Sequence, residues 1–279
     1  MKILLVQTSY LGDVILSTPV IAAIKRLHPD CVLWAMTTPA AAALIRHDPL
    51  LDGILHYDKH GRDRGPAGFG RMVGRIRRHK FDRVYSLHKS YRTALLLAAS
   101  RIPLRIGFHE AKLSFLYHQR CRRPVEPHDV LRNLALLAPE IDFDDFTDDL
   151  RLFAPPPEEI RPKILDALAD LSGYAVLVPG SAWATKRWQW QGYREVARHL
   201  LDRTLPVVLL GAPAEKEICD RVADGLAVVN LAGRSRISDA MHVIRHAALV
   251  VCNDSMSLHM ASAFKVPNVA IFCATSPAF

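Results

Sequence analysis

The stretch Ala248-Leu-Val-Val-Cys-Asn-Asp-Ser-Met-Ser-Leu-His-Met-Ala-Ser-Ala-Phe264 decides how this chain is read. Its first five residues form an apolar run too short for a helix, which predicts a strand buried on both faces, as in a parallel sheet. The run stops at Asn253-Asp254-Ser255, where the pattern turns helical. A polar cluster therefore falls where a strand ends and a helix begins. Ligands bind at that edge in open parallel sheets, and the free N–H groups of a helix start suit an anion such as phosphate. His259 follows Ser255 by one turn on the same helix face.

The alternation recurs on both sides of this corner. The first half predicts strands at 2–7, 31–36, 53–57, 83–86 and 105–108, with helices at about 16–27, 40–46, 93–100 and 128–138. Pro19 leaves two starts for the first helix: near Ser17 with proline in the first turn, or at Asp13 with a kink. The segment Gly61–Gly74 reads as a mobile loop leading into helix. The second half predicts strands at 175–178, 206–210, 227–230, 248–252 and 268–272, with helices at 158–169, 191–202, 214–224, 238–246 and 255–264. Between them lie Asp142–Asp149, with five aspartates, and Ala154-Pro155-Pro156-Pro157, a stiff boundary. The predicted fold class is α/β, with two doubly wound Rossmann-like domains, 1–153 and 158–279, facing across a cleft.

Composition narrows the partners. The 279 residues carry a net charge of +8, concentrated in the first half: Arg62 to Lys80 holds seven basic side chains against Asp63 alone, and Arg120, Arg122 and Arg123 follow. An anionic partner is expected (nucleic acid, anionic lipid or phosphorylated glycan), although Arg71 to Lys80 also fits the solvated side of a helix. No aromatic-interleaved basic strand accompanies the charge, so nucleic acid is not expected. The five scattered cysteines suggest reduced thiols with no zinc site. No apolar run reaches the ~20 residues of a membrane span, and the N-terminus lacks a signal-peptide pattern, which predicts a cytoplasmic protein.

Neither half carries the glycine-rich dinucleotide fingerprint or the P-loop. The second half instead offers Pro179-Gly180-Ser181-Ala182-Trp183-Ala184-Thr185-Lys186-Arg187-Trp188 after its first strand. Lys186 can neutralise a diphosphate there, with Ser181, Thr185 and backbone N–H groups donating hydrogen bonds. Trp183 and Trp188 suit either core packing or base stacking. In the first half, Lys89, Arg92 and Arg105 are candidates for an anionic substrate. Asp13 and the Asp254-Ser255 pair also fit plain helix caps.

These motifs together resemble glycosyltransferase family 9, the ADP-heptose:lipopolysaccharide heptosyltransferases. They are Leu11-Gly12-Asp13 with Ser17-Thr18-Pro19, then Pro179 to Trp188, Asn230-Leu231-Ala232-Gly233, and Asn253 to His259, in order along nearly the whole chain. The Lys186-Arg187-Trp188 loop and the Ser86–Ser90 cluster resemble the second heptosyltransferase type. The resemblance implies a GT-B fold and metal-independent, inverting transfer of heptose from ADP-L-glycero-D-manno-heptose to the inner core of lipopolysaccharide. The ADP-sugar would be a substrate, with no cofactor. Asp13 would be the general base. Ser181, Thr185, Lys186, Gly233, Asp254, Ser255, Met256, Ser257 and His259 would bind the donor, and Lys89, Arg92, Arg105 and Arg120 the anionic acceptor. The enzyme would work peripherally at the inner face of the inner membrane.

Three departures qualify the resemblance. Met256 stands where the family usually has Gly, Phe272-Cys273 where Tyr-Gly is common, and family members continue through further helices beyond the position of Phe279. A family 9 transferase with a different nucleotide sugar, for cell-surface glycan synthesis, is the alternative, and an incomplete C-terminal domain is expected.

Overall fold

The computed structural model describes residues 1–126, 128–140 and 147–276, so most of the Asp142–Asp149 run and the last three residues lie outside the described residues. The chain divides into two compact units, Met1–Arg151 and Leu152 onward, with the proline run at the start of the second.

The first unit is a six-stranded parallel sheet. Its strands are β1 (Lys2–Val6), β2 (Val32–Thr37), β3 (Gly53–His56), β4 (Arg83–Ser86), β5 (Leu104–Phe108) and β6 (Gln119–Cys121), in the order β3-β2-β1-β4-β5-β6. Central β1 explains its own sequence. Ile3 and Leu5 enter the core on one face, Leu4 and Val6 the core on the other, so all four are apolar. The helices are α1 (Leu11–Ile15), α2 (Thr18–Leu27), α3 (Pro39–Ile45), α4 (Gly65–His79), α5 (Tyr91–Ala99) and α6 (Asp129–Leu134). Two separate helices resolve the Pro19 ambiguity: α1 carries Asp13, and α2 starts afresh with proline in its first turn, where its missing N–H costs nothing.

Two features depart from the sequence reading. Edge strand β6 is too short for a periodic signal. The expected mobile loop is instead an ordered turn followed by helix. The Asp58 carboxylate accepts the N–H groups of Gly61 and Arg62, Asp63 Oδ2 accepts that of Asp58, and α4 begins at Gly65. Met72, Val73 and Ile76 bury one face of α4, which overrides the weak propensity of its glycines.

The second unit has strands β7 (Ala175–Val178), β8 (Val207–Leu209), β9 (Val229–Asn230), β10 (Leu249–Asn253) and β11 (Asn268–Ile271), all parallel, in the order β11-β10-β7-β8-β9. Its helices are α7 (Pro162–Leu168), α8 (Trp190–Asp202), α9 (Lys216–Ala223), α10 (Ile237–Arg245) and α11 (Met256–Ala263). Strand order reverses between β1 and β4 in one unit and between β7 and β10 in the other. At these switch points successive crossovers depart in opposite directions and leave a crevice at the carboxyl edge.

The glycines of α4 supply a paired test. A Cβ at Gly68 would lie 2.2 Å from the Asp63 carbonyl carbon, whereas one at Gly70 or Gly74 meets nothing within 4 Å. Gly70→Ala and Gly74→Ala should each stabilise by about 0.5–1 kcal/mol through helix propensity. Gly68→Ala should destabilise, and urea denaturation of the three variants reads the difference in sign.

Candidate functional site

The second unit's crevice is closed around Asn253, the fully buried last residue of β10. Its side-chain amide donates to the carbonyls of Pro179 (2.9 Å) and Gly180 (3.2 Å), and its Oδ1 accepts the N–H of Trp188 at 2.9 Å. One side chain thus fixes both ends of the loop after β7 against the end of β10.

That clasp brings two of the predicted donor residues, Lys186 and Asp254, into contact. Lys186 Nζ lies 2.6 Å from Asp254 Oδ2, which also accepts the Thr275 hydroxyl at 2.8 Å. Burial opposes ionisation of Asp254, but the hydrogen bonds from Lys186 and Thr275, the Lys186 charge and that of His259 outweigh it and hold the carboxyl below its ordinary value. Ser255 precedes α11 with extended backbone, and its Oγ is buried without a hydrogen-bond partner. Ser257 and Ser181 are buried, Met256 and His259 half-buried, and Thr185 exposed in a short 3-10 turn. Met256 takes ordinary helical backbone as the first residue of α11, so the conformation there does not demand glycine. Gly233 ends the turn after β9 at φ +69, with its N–H on the Gly211 carbonyl at 2.9 Å, a left-handed position that glycine fits without strain. Trp188 packs edge-on to buried Tyr193, while Trp183 is exposed.

The first unit's switch point holds Asp13. Its carboxylate accepts the Tyr10 N–H at 3.1 Å, so it does cap α1. The loop leading to it is held by two residues that the sequence reading did not single out. Lys59 Nζ donates to the Thr8 carbonyl at 2.8 Å, and His88 Nδ1 lies 3.0 Å from Thr8 Oγ1 and 2.7 Å from Thr93 Oγ1. Burial, with the neighbouring Lys59 charge, lowers the His88 pKa to about 4, so the ring is neutral near pH 7. Burial and Arg92 likewise lower that of Lys59. Only the sequence position of His88 in the Ser86–Ser90 cluster signalled it.

The basic candidates divide. Lys89 and Arg120 are exposed. Half-buried Arg92 donates to the Tyr57 hydroxyl at 2.5 Å and the Asp63 carbonyl at 2.7 Å, which ties α5 to the turn before α4. Arg105 is held differently from the other three. It occupies the amino half of β5, and its guanidinium donates to the carbonyls of Ile102 and Leu116, away from the carboxyl edge where Asp13 and Lys89 lie.

The family model for glycosyltransferase family 9 (heptosyltransferase) matches residues 69–279. The chain belongs to this family. It is 27% identical to lipopolysaccharide heptosyltransferase 3 of Escherichia coli K12, over 97% of this chain and 82% of that protein. It is 25% identical to lipooligosaccharide heptosyltransferase 2 of Haemophilus influenzae, over 100% of this chain and 85% of that protein. Among solved structures, a family 9 glycosyltransferase from Veillonella parvula superposes with a TM-score of 0.90 at 21% identity, covering 100% of this chain and 83% of that one. Escherichia coli heptosyltransferase WaaC, solved with ADP-2-deoxy-2-fluoro heptose, gives 0.78 at 21% identity, covering 99% and 90%. The fold is GT-B and the protein is a glycosyltransferase.

Two measurements test the geometry. Asn253→Ala removes the partner of three backbone groups, two buried and one half-buried, and should cost about 2–4 kcal/mol on denaturant unfolding. His88 has a folded pKa below its unfolded one, so its stabilising contribution is complete above pH 6.5 and is lost as the pH falls towards 4. The difference in unfolding free energy between the wild type and His88→Asn should shrink across that window, read at pH 7 and pH 5.

Proposed function

We propose that this glycosyltransferase moves heptose from an ADP-activated donor to the inner core of lipopolysaccharide, with inversion at the anomeric carbon. The observation that carries the donor assignment is the juxtaposition of Lys186, bonded to Asp254, with the unpartnered Ser255 hydroxyl at the start of α11. A compact cation, a free hydroxyl and a helix N-terminus form an arrangement suited to a diphosphate. The names of the family's curated relatives support the heptosyl and lipopolysaccharide parts of the reading.

In this mechanism the acceptor hydroxyl oxygen attacks the anomeric carbon as the bond from that carbon to the β-phosphate oxygen breaks. The bonding pair leaves with ADP. The Asp13 carboxylate takes the acceptor proton as the new glycosidic bond forms. Charge grows on the departing diphosphate, and Lys186, the Ser255 hydroxyl and the N–H groups of Met256 and Ser257 oppose it. Asp254 and His259 hold the sugar and orient the phosphate loop; Ser181, Thr185 and Gly233 complete the donor wall. Lys59 and His88 position the loop that carries Asp13, and Lys89, Arg92 and Arg120 attract the acceptor's phosphates. The work is placed at the inner face of the inner membrane, where the acceptor's lipid would hold the enzyme.

The second reading keeps the site and changes the sugar. It rests on Met256, whose half-buried side chain stands at the helix start where the family usually has no side chain. Competition of UDP- and GDP-sugars against ADP-heptose separates the two readings.

With ADP-heptose and a heptose-deficient core acceptor, Asp13→Asn should lower turnover by about 10²–10⁴-fold while leaving donor affinity unchanged. Lys186→Ala should weaken ADP binding by about tenfold or more in calorimetry. Wild-type turnover by Asp13→Asn would remove the base assignment.

A further inference from the structure

We propose that the outer side of α5, with the turn at 114–116, docks on an anionic bilayer surface. Three exposed apolar side chains and three exposed basic ones meet there. Helix α5 turns Thr93, Ala94, Leu96 and Leu97 into the core, yet its opposite side carries Tyr91 and Leu95, 58% and 43% exposed and one helical turn apart. Leu113, in left-handed backbone at φ 60, swings the chain into a 3-10 turn packed on α5. Leu113 and Leu116 pack against the core, and Phe115 between them is 71% exposed. An aromatic ring so placed is what an apolar wedge needs and what a soluble core does not.

Cations frame the wedge. The Lys112 N–H donates to the Lys89 carbonyl at 2.9 Å, which sets these two exposed lysines side by side where α5 begins. On β6, Cys121 packs into the core on the α2 side of the sheet, so strand alternation puts exposed Arg120 on the α5 side. Between Ser86 and Val125 the sequence has eight lysine and arginine residues and one carboxylate, Glu110. Glu110 accepts the Arg123 N–H at 3.1 Å.

This chemistry selects one occupant. Interfacial anchoring combines exposed aromatic or aliphatic groups with lysine or arginine opposite anionic lipid headgroups. A second copy of the chain would set the same positive charges face to face, which is repulsive. The inference goes beyond the transfer reaction, because vesicle binding needs neither sugar nor turnover.

The test is co-sedimentation of the full chain with vesicles of phosphatidylglycerol and phosphatidylcholine, compared with phosphatidylcholine alone. The wild type should bind the anionic vesicles and release as salt rises. Phe115→Ser with Leu95→Ser should weaken binding by about tenfold for each side chain removed, and Phe115→Trp should retain it. Turnover on a delipidated, soluble acceptor should be the same in wild type and double variant, while turnover on vesicle-borne acceptor falls. Equal sedimentation of wild type and double variant, or equal binding to neutral vesicles, would overturn the proposal. So would self-association abolished by Phe115→Ser, which would assign the face to a second copy. If the transferase reading alone were wrong, vesicle binding would persist without turnover on either acceptor.

Discussion

Much of the candidate donor site depends on the buried amide of Asn253. It is the only type of side chain in that position that can meet all three of its neighbours, giving two N–H donors to the carbonyls of Pro179 and Gly180 and an acceptor to the N–H of Trp188. An isosteric aspartate would offer oxygens to two carbonyls, and an apolar residue would leave the loop's backbone groups unpaired in a buried place. Because both ends of the loop are fastened to the end of β10, Lys186 arrives at Asp254 and the start of α11 without a flexible search. The loop that carries the cation and the helix that offers the N–H groups therefore behave as one piece, which is the condition for electrostatic stabilisation of a leaving group.

The first unit meets the same need with different groups. Asp13 lies on a helix of only five residues, too short to be stable by itself, and its approach loop is held from two sides by Lys59 and His88. A neutral imidazole between two threonine hydroxyls fixes the loop without adding a second positive charge next to Lys59. In both units the candidate residues sit beside the strand pair at which the sheet order reverses. Parallel pairing forces the crossovers apart there, so the crevice precedes any choice of residues within it.

The sequence reading and the structure part company where local pattern conflicts with packing. Five glycines and several arginines made Gly61–Gly74 read as a loop, but Met72, Val73 and Ile76 supply a buried stripe and the carboxylates of Asp58 and Asp63 organise the turn before it. Arg105 looked like one more cation in a basic half. Its place in β5 puts it on the amino side of the sheet, where it serves the carbonyls of Ile102 and Leu116. Met256 departs from the family's usual glycine, and α11 accepts it because the backbone there is helical.

By itself the sequence determined the alternation of buried strands and amphipathic helices, the family, and the loops that carry polar chemistry, since each of these is written in spacing over a few residues. Motifs such as Asn253 to His259 were legible for the same reason. What only the tertiary structure decided is which distant residues share a site. Lys186 and Asp254 are 68 positions apart, Lys59 and Thr8 are 51 apart, and His88 and Thr8 are 80 apart. Strand order creates those meetings, and strand order depends on how both sheet faces are buried at once. No local window of sequence contains that information.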